Sequence, residues 1–269
     1  MRRAYAVVTG ASSGIGRELA KVLAREGYAL VLVARRTEAL RELADALLQA
    51  HGTPSVVVGV DLVTPEGVDE LVREVRTRGL DVEVLVNSAG SGLAGAFTSL
   101  SVEPQLAMID LNVRVLTALT HAFLPALVTR RRGYVLHLAS MAAFQPGPLM
   151  AVYYATKAYV LSFSHALHEE MRGTGVHVTA LCPGYTETEF AARAAEDSRP
   201  RLFQGSFGRS EPRVVAEVGW RAVRRNQAQV VPGLRGVLGT WFMRLLPRPL
   251  QVRMARYINT STGPGVSRA

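Results

Sequence analysis

The stretch Val7-Val8-Thr9-Gly10-Ala11-Ser12-Ser13-Gly14-Ile15-Gly16 decides how the chain is read. Its first residues end an apolar, β-branched run and its last ones open a pattern of helical period, so it reads as strand, loop and helix in that order. Three glycines let the main chain turn tightly and come up against a ligand. The first amides of the following helix favour an anion such as a pyrophosphate. A tight turn without a ligand also uses glycine, but it does not require this succession of elements. Gly10, Ser12, Ser13, Gly14, Ile15 and Gly16 are therefore candidate dinucleotide contacts, although Gly-x-x-x-Gly-x-Gly is not the commoner Gly-x-Gly-x-x-Gly spacing.

Outward from this loop, β-rich apolar runs at 4–9, 29–34, 55–60, 82–87, 134–139, 176–181 and 229–231 alternate with helical patterns at 15–26, 38–50, 66–78, 103–131, 151–172 and 212–225. Thr64 and Pro65 read as the cap and first-turn proline of the third helix. Alternation of this kind predicts an α/β fold: a single-domain Rossmann fold over 1–269, with a doubly wound parallel sheet of about seven strands and helices on both faces. Ligands are then expected at the carboxyl ends of the strands. The pattern weakens over 185–212, read as a substrate loop, and 233–269 is a basic extension that carries no assigned element.

The 269 residues, 48% of them hydrophobic, suffice for a large core. The N-terminus lacks the order of a signal peptide, and no uninterrupted apolar run is long enough to span a bilayer, so the expected location is the cytoplasm. A single cysteine, Cys182, offers neither an intrachain disulfide nor a cysteine cluster for a metal. The net charge of +9 is localised, because residues 201–269 hold twelve Arg against Glu211 and Glu217 while the rest of the chain is close to neutral.

Tyr153 and Lys157 lie four apart in a helical stretch and share one face. A phenol is a poor proton donor or acceptor near neutral pH unless a nearby cation stabilises its phenolate. Lysine occurs only at 21 and 157 among 31 basic residues, so a lysine here points to a need for a compact point charge. Tyr154 is three residues from Lys157 and is the competing register. At the end of the second strand, Arg35 and Arg36 stand where a ribose 2′-substituent is read, with two guanidinium groups and no carboxylate to repel a phosphate. Solvated helix-start charges would look the same in so Arg-rich a chain.

Taken together, Thr-Gly-x-x-x-Gly-Ile-Gly at 9–16, Asn87-Ser88-Ala89-Gly90, Tyr153-x-x-x-Lys157 and Pro183-Gly184-Tyr185-Thr186-Glu187-Thr188 resemble the short-chain dehydrogenase/reductase family over most of the chain, with Ser88 departing from the family's second Asn. The resemblance implies a catalytic set of Asn112, Ser140, Tyr153 and Lys157. In it Ser140 orients the substrate, Tyr153 is the acid/base, Lys157 also holds the nicotinamide ribose, and Asn112 holds a relay water. It implies cofactor contacts at Asn87, Ala89 and Gly90, at Pro183, Gly184, Thr186 and Thr188, and at Asp61 on the adenine, which could equally be an acidic helix-start residue. NAD-dependent relatives place Asp where Arg35 stands, so NADP(H) is expected over NAD(H). The implied activity is interconversion of an alcohol and a carbonyl, expected as NADPH-dependent reduction of a hydrophobic ketone, aldehyde or 3-oxoacyl compound. The apolar residues Phe144, Leu149, Met150, Phe190, Leu202 and Phe203 point to that substrate class.

His137, between Leu136 and Leu138, is read as a packed residue without a catalytic role. A homodimer or homotetramer is implied by the family, and no aromatic-and-basic pattern points to nucleic acid. Two other readings stand beside the enzyme. One is a cofactor-binding regulator without turnover. The other is a peripheral membrane protein, or one meeting an acyl carrier, through basic C-terminal residues such as Arg244 and Arg248 beside Trp241, Phe242, Leu245 and Leu246.

Overall fold

Strand-forming residues alternate sides along the first strand, Tyr5–Thr9 (β1): Ala6 and Val8 pack into one hydrophobic cluster and Val7 into another. Both faces of this strand are therefore covered, as its unbroken apolar run demands. A computed structural model of the chain describes residues 3–186 and 210–260, with the side chains of Arg235 and Arg244 excepted. Thr188, Phe190, Leu202 and Phe203, and most of the expected substrate loop, lie outside the described residues.

The elements after β1 are Gly14–Arg25 (α1), Ala29–Ala34 (β2), Thr37–His51 (α2), Ser55–Gly59 (β3), Gly67–Thr77 (α3), Val82–Asn87 (β4), Val102–Ile109 (α4), Leu116–Arg130 (α5), Gly133–Leu138 (β5), Ala151–Glu170 (α6), Val176–Leu181 (β6), Pro212–Arg224 (α7), Gln229–Val230 (β7), Leu234–Leu245 (α8) and Arg248–Asn259 (α9). All seven strands pair in parallel in the order β3-β2-β1-β4-β5-β6-β7. On one face Leu19 and Leu23 of α1, Leu40 and Leu43 of α2, and Val215 and Trp220 of α7 are buried together. On the other, Leu71 of α3 joins Leu119, Phe123 and Leu127 of α5 and Leu167 of α6. The strand order reverses between β1 and β4, which opens a crevice at their carboxyl ends.

Two expectations need correction. The third helix begins at Gly67 with Glu66 before it, not at a Thr64 cap. The Thr64 hydroxyl instead donates to the Asp61 carbonyl at 2.9 Å, and Asp61 Oδ1 accepts the Val63 N–H at 3.1 Å, so these residues close a turn ahead of the helix. The helical stretch at 103–131 is continuous but not uniform: a π-helical turn, Asp110–Val115, separates α4 from α5 and holds Asn112. By length and composition the run Val102–Arg130 would suit a membrane span, at 29 residues and mean hydropathy 1.4. Here its Val115, Leu119, Phe123 and Leu127 pack on the sheet.

Candidate active site

The glycine loop and the segment after β4 meet across the crevice. Thr9 Oγ1 accepts the N–H groups of Ser88 and Ala89, each at 3.0 Å, and donates to the Val86 carbonyl at 3.3 Å. Gly10, with φ of +67°, lies so close that a Cβ there would be 2.9 Å from the Ala89 nitrogen, and one on Gly16 would collide with the Gly10 carbonyl. The main chain thus forms a cradle that side chains would fill. Ser13, at the N-cap of α1, makes no side-chain cap bond, leaving first-turn amides for an anion. A dinucleotide pyrophosphate fits this arrangement.

At the edge of the cradle, Arg36 donates to Ser12 Oγ at 3.2 Å, and Arg35 pairs with Asp61 Oδ2 at 3.7 Å. Asp61 therefore sits in the turn before α3, beside Arg35, and is not a helix-start residue. Arg35 and Asp61 are both well solvated, so this pair contributes little to stability.

Beyond the β4 segment, α6 presents Tyr153 and Lys157 one turn apart, with the Lys157 Nζ 5.8 Å from the Tyr153 ring centroid. Lys157 is buried and donates to the Leu138 carbonyl at 2.7 Å, which aims its ammonium at the end of β5. Burial lowers its pKa to about 8. Burial pushes Tyr153 up to about 12, opposed by a hydrogen bond between the Ser140 and Tyr153 side chains. Ser140 follows β5 and its Oγ also accepts the Ala142 N–H at 3.1 Å, which fixes the hydroxyl at the start of the 3-10 turn Met141–Phe144.

Asn112 is buried in the π-helical turn. Its Oδ1 accepts the Ser91 N–H at 3.0 Å, and its Nδ2 donates to the Ser91 carbonyl at 2.9 Å and to Thr156 Oγ1 at 3.1 Å. The side chain thereby clamps the loop after β4 to α6, next to Gly90, where a Cβ would come within 3.1 Å of Asn112 Oδ1 and 3.6 Å of Lys157 Nζ. Asn87 turns away from the crevice, donating to Thr120 Oγ1 at 3.1 Å. Thr186 lies beyond β6, buried, with its hydroxyl donating to the Gly184 carbonyl at 3.2 Å.

One cavity of about 1260 Å³ joins these parts, running from Gly10, Arg35, Arg36 and Asp61 past Ser140, Tyr153 and Lys157 to Pro183, Gly184 and Thr186. Its far wall is α8 and α9, which sequence reasoning left unassigned: Leu234, Leu238, Phe242, Met243, Met254 and Ile258 line it. α8 lies against Met141, and Gly236 also lets it approach Val231, whose Cγ1 would be 2.9 Å from a Cβ there. The competing tyrosine, Tyr154, points away from Lys157 and donates to Asn259 Oδ1 of α9 at 3.2 Å, and Asn259 Nδ2 donates to the Pro148 carbonyl at 3.0 Å. The residues that tie α9 inward are Gln251, Ala255 and Asn259, two of them polar, and Pro249 in the first turn is a helix-start signal in the sequence.

His137 is fully buried, hydrogen-bonded to Ser164 Oγ at 2.9 Å and Thr120 Oγ1 at 3.1 Å, with its pKa lowered to about 3 by burial. It stays neutral and away from the cavity.

Residues 4–199 match the family model of the short chain dehydrogenases. An uncharacterized oxidoreductase of Staphylococcus epidermidis is 37% identical over 202 residues, covering 75% of this chain and 86% of the relative. Among solved structures, the short-chain dehydrogenase from Sphingobium yanoikuyae in complex with NADPH superposes with a TM-score of 0.79 at 29% identity, over 91% of this chain and 97% of that one. The bulky-bulky ketone specific alcohol dehydrogenase from Comamonas testosteroni does so at 0.76 and 25%, over 92% and 96%. With the seven-stranded parallel sheet and the glycine cradle, these matches establish that the chain belongs to the short-chain dehydrogenase/reductase family of NAD(P)-dependent oxidoreductases.

Proposed function

We propose that the protein is an NADPH-dependent reductase of hydrophobic ketones or related carbonyl compounds, built as one domain and acting through Ser140, Tyr153, Lys157 and Asn112. The observation that carries the reading is the single cavity in which the Ser140 and Tyr153 hydroxyls and the Lys157 ammonium stand between the glycine cradle and an apolar wall. The nicotinamide, when bound, supplies the hydride. Ser140 and Tyr153 together donate hydrogen bonds to the carbonyl oxygen, where negative charge develops. Tyr153 is a phenol at neutral pH, which is the form that gives a proton to that oxygen. Lys157, charged below about pH 8, stabilises the phenolate left behind. Asn112 positions the loop after β4 against α6.

Preference for NADP(H) rests on Arg35 and Arg36 at the end of β2, with Arg36 held over the glycine loop by Ser12. The NADPH complex of the Sphingobium relative agrees with this reading. The substrate class rests on the aliphatic and methionine-rich wall, and it agrees with the ketone specificity named for the Comamonas enzyme. Comparison of kcat/KM for NADPH and NADH on a bulky ketone tests the proposal. NADPH is expected to be favoured, and Arg35→Asp, which places a carboxylate where the 2′-phosphate would lie, to shift preference toward NADH. Equal use of both cofactors by the unaltered enzyme rejects the cofactor assignment. Absence of turnover with NADPH bound favours a cofactor-binding regulator instead.

The exposed apolar residues Val102, Leu106 and Ile109 on α4 and Tyr159 on α6 suit a subunit interface of a homodimer or homotetramer. A cytoplasmic location goes with this reading, because the described stretch that would suit a membrane span, Val102–Arg130, packs on the sheet.

A further inference from the structure

Helix α8 is unlike every other described helix in what it leaves in water. Leu234, Leu238, Trp241, Phe242 and Leu245 are each between 55% and 80% exposed. At about 100° per residue these positions fall within an arc roughly 100° wide on one face. The opposite face, with Gly236, Gly239, Thr240 and Met243, packs inward. In helical register, positions 235 and 244, both arginines in the sequence, flank the exposed stripe on either side. The neighbouring α9 buries Gln251, Ala255 and Asn259 and exposes Arg248, Arg253 and Arg256 together with Leu250 and Tyr257. Among the described residues no ion pair engages those three arginines, so their charge is left to solvent or to a partner.

We infer that α8 and α9 form a docking surface for an anionic lipid bilayer, with the stripe Leu234, Leu238, Trp241, Phe242 and Leu245 seated among the acyl chains and Arg248, Arg253 and Arg256 of α9 on lipid phosphates. A tryptophan and leucines on one face, bordered by arginine, is the composition of an interfacial helix. The sign of the charge selects the partner, since the sequences of α8 and α9 hold five arginines and no carboxylate residue. Leu234, Leu238 and Phe242 also line the cavity, so its mouth opens on the docked face. Resting on the reductase reading above, this makes the substrate a carbonyl compound dissolved in the membrane, entering beside α8 without crossing water.

Two tryptophans make the test specific, because Trp220 is buried under α1 and Trp241 is exposed. The full-length protein is sedimented with sucrose-loaded vesicles of phosphatidylcholine alone and of phosphatidylcholine with about 30% phosphatidylglycerol, at low and high salt. Binding is expected only to the anionic vesicles, with Trp241 emission shifting to the blue in a Trp220→Phe background, and release at high salt. Trp241→Ser with Leu245→Ser, neither of which lines the cavity, should abolish binding. Arg248→Glu with Arg253→Glu should weaken it by at least about tenfold. Both double variants should keep the melting temperature and turnover of a water-soluble ketone. The proposal is overturned if the protein ignores anionic vesicles, if either double variant binds as the unaltered protein does, or if the stripe instead closes a self-association interface or binds an acidic acyl carrier. Vesicle binding is read without turnover, so failure of the reductase reading would leave this measurement intact.

Discussion

The cofactor crevice and the C-terminal wall border the same cavity but are held together by different physics. In the crevice the contacts are main chain to main chain or through one small hydroxyl: Thr9 ties the loops after β1 and β4, and Gly10 and Gly16 leave no space for a side chain. The wall is a helical hairpin fastened by a few amide side chains. Gln251 donates to the Met243 and Leu246 carbonyls at 2.8 Å each, and Asn259 spans Tyr154 and Pro148. A site made of backbone tolerates almost no change and binds one kind of group. A wall made of side chains on a short hairpin can vary, and substrate choice can vary with it. Tyr153 and Tyr154, adjacent in α6, divide between the two: one lines the cavity beside Ser140, and the other anchors the wall.

The sharpest way to break this comparison is at that pair. Tyr153→Phe removes the proton donor and should lower kcat by roughly 10³-fold while NADPH affinity, measured by fluorescence titration, stays nearly unchanged. A variant that retained turnover would place the acid elsewhere. On the crevice side, Gly16→Ala drives a methyl group into the Gly10 carbonyl and should raise the Kd for NADPH and cost about 1–3 kcal/mol of stability in denaturant titration. An unchanged Kd would mean that the cradle does not receive the cofactor.

A smaller effect is expected from pH. Lys157 has its pKa lowered to about 8, so its charge is present below that pH and lost above it, and with it goes the field that favours the Tyr153 phenolate. The kcat/KM for ketone reduction should therefore fall as pH rises through about 8. A flat profile to pH 9 would remove Lys157 from the proton-transfer step. Least of all, Tyr154→Phe deletes the bond to Asn259 and should cost about 1 kcal/mol of stability, raise KM for bulky ketones modestly and leave NADPH affinity alone. A large fall in kcat there would join the wall to the chemistry more tightly than the geometry does.

The strands were legible because buried parallel strands are rich in β-branched and apolar residues: Ala29–Ala34 is an unbroken apolar run, and Val82–Asn87 and Val176–Leu181, interrupted by Glu83 in the one and by His177 and Thr179 in the other, still lie where the pattern puts them. The start of α3 was not, because Thr64 and Pro65 serve a turn as well as they serve a cap. The π-helical turn at Asn112 was hidden too, since nothing in a run of helix-compatible residues announces a change from one hydrogen-bond period to another. The C-terminal helices were left unassigned for a different reason: they are fastened by the polar Gln251 and Asn259, and their apolar residues divide between the cavity, as Met243, Met254 and Ile258 do, and solvent, as Trp241 and Leu245 do.

By itself the sequence determined the doubly wound sheet, the glycine loop and the Tyr153/Lys157 pairing, because each depends on residues close together along the chain: an apolar period, a glycine spacing, one helical turn. Tertiary structure alone decided what surrounds them. Burial, not composition, lowers the Lys157 pKa and raises that of Tyr153, and packing across 105 residues brings Asn259 to Tyr154 and closes the cavity with α8 and α9. Desolvation and long-range contacts of this kind leave no periodic trace in the chain, so they exist only once the fold has brought their members together.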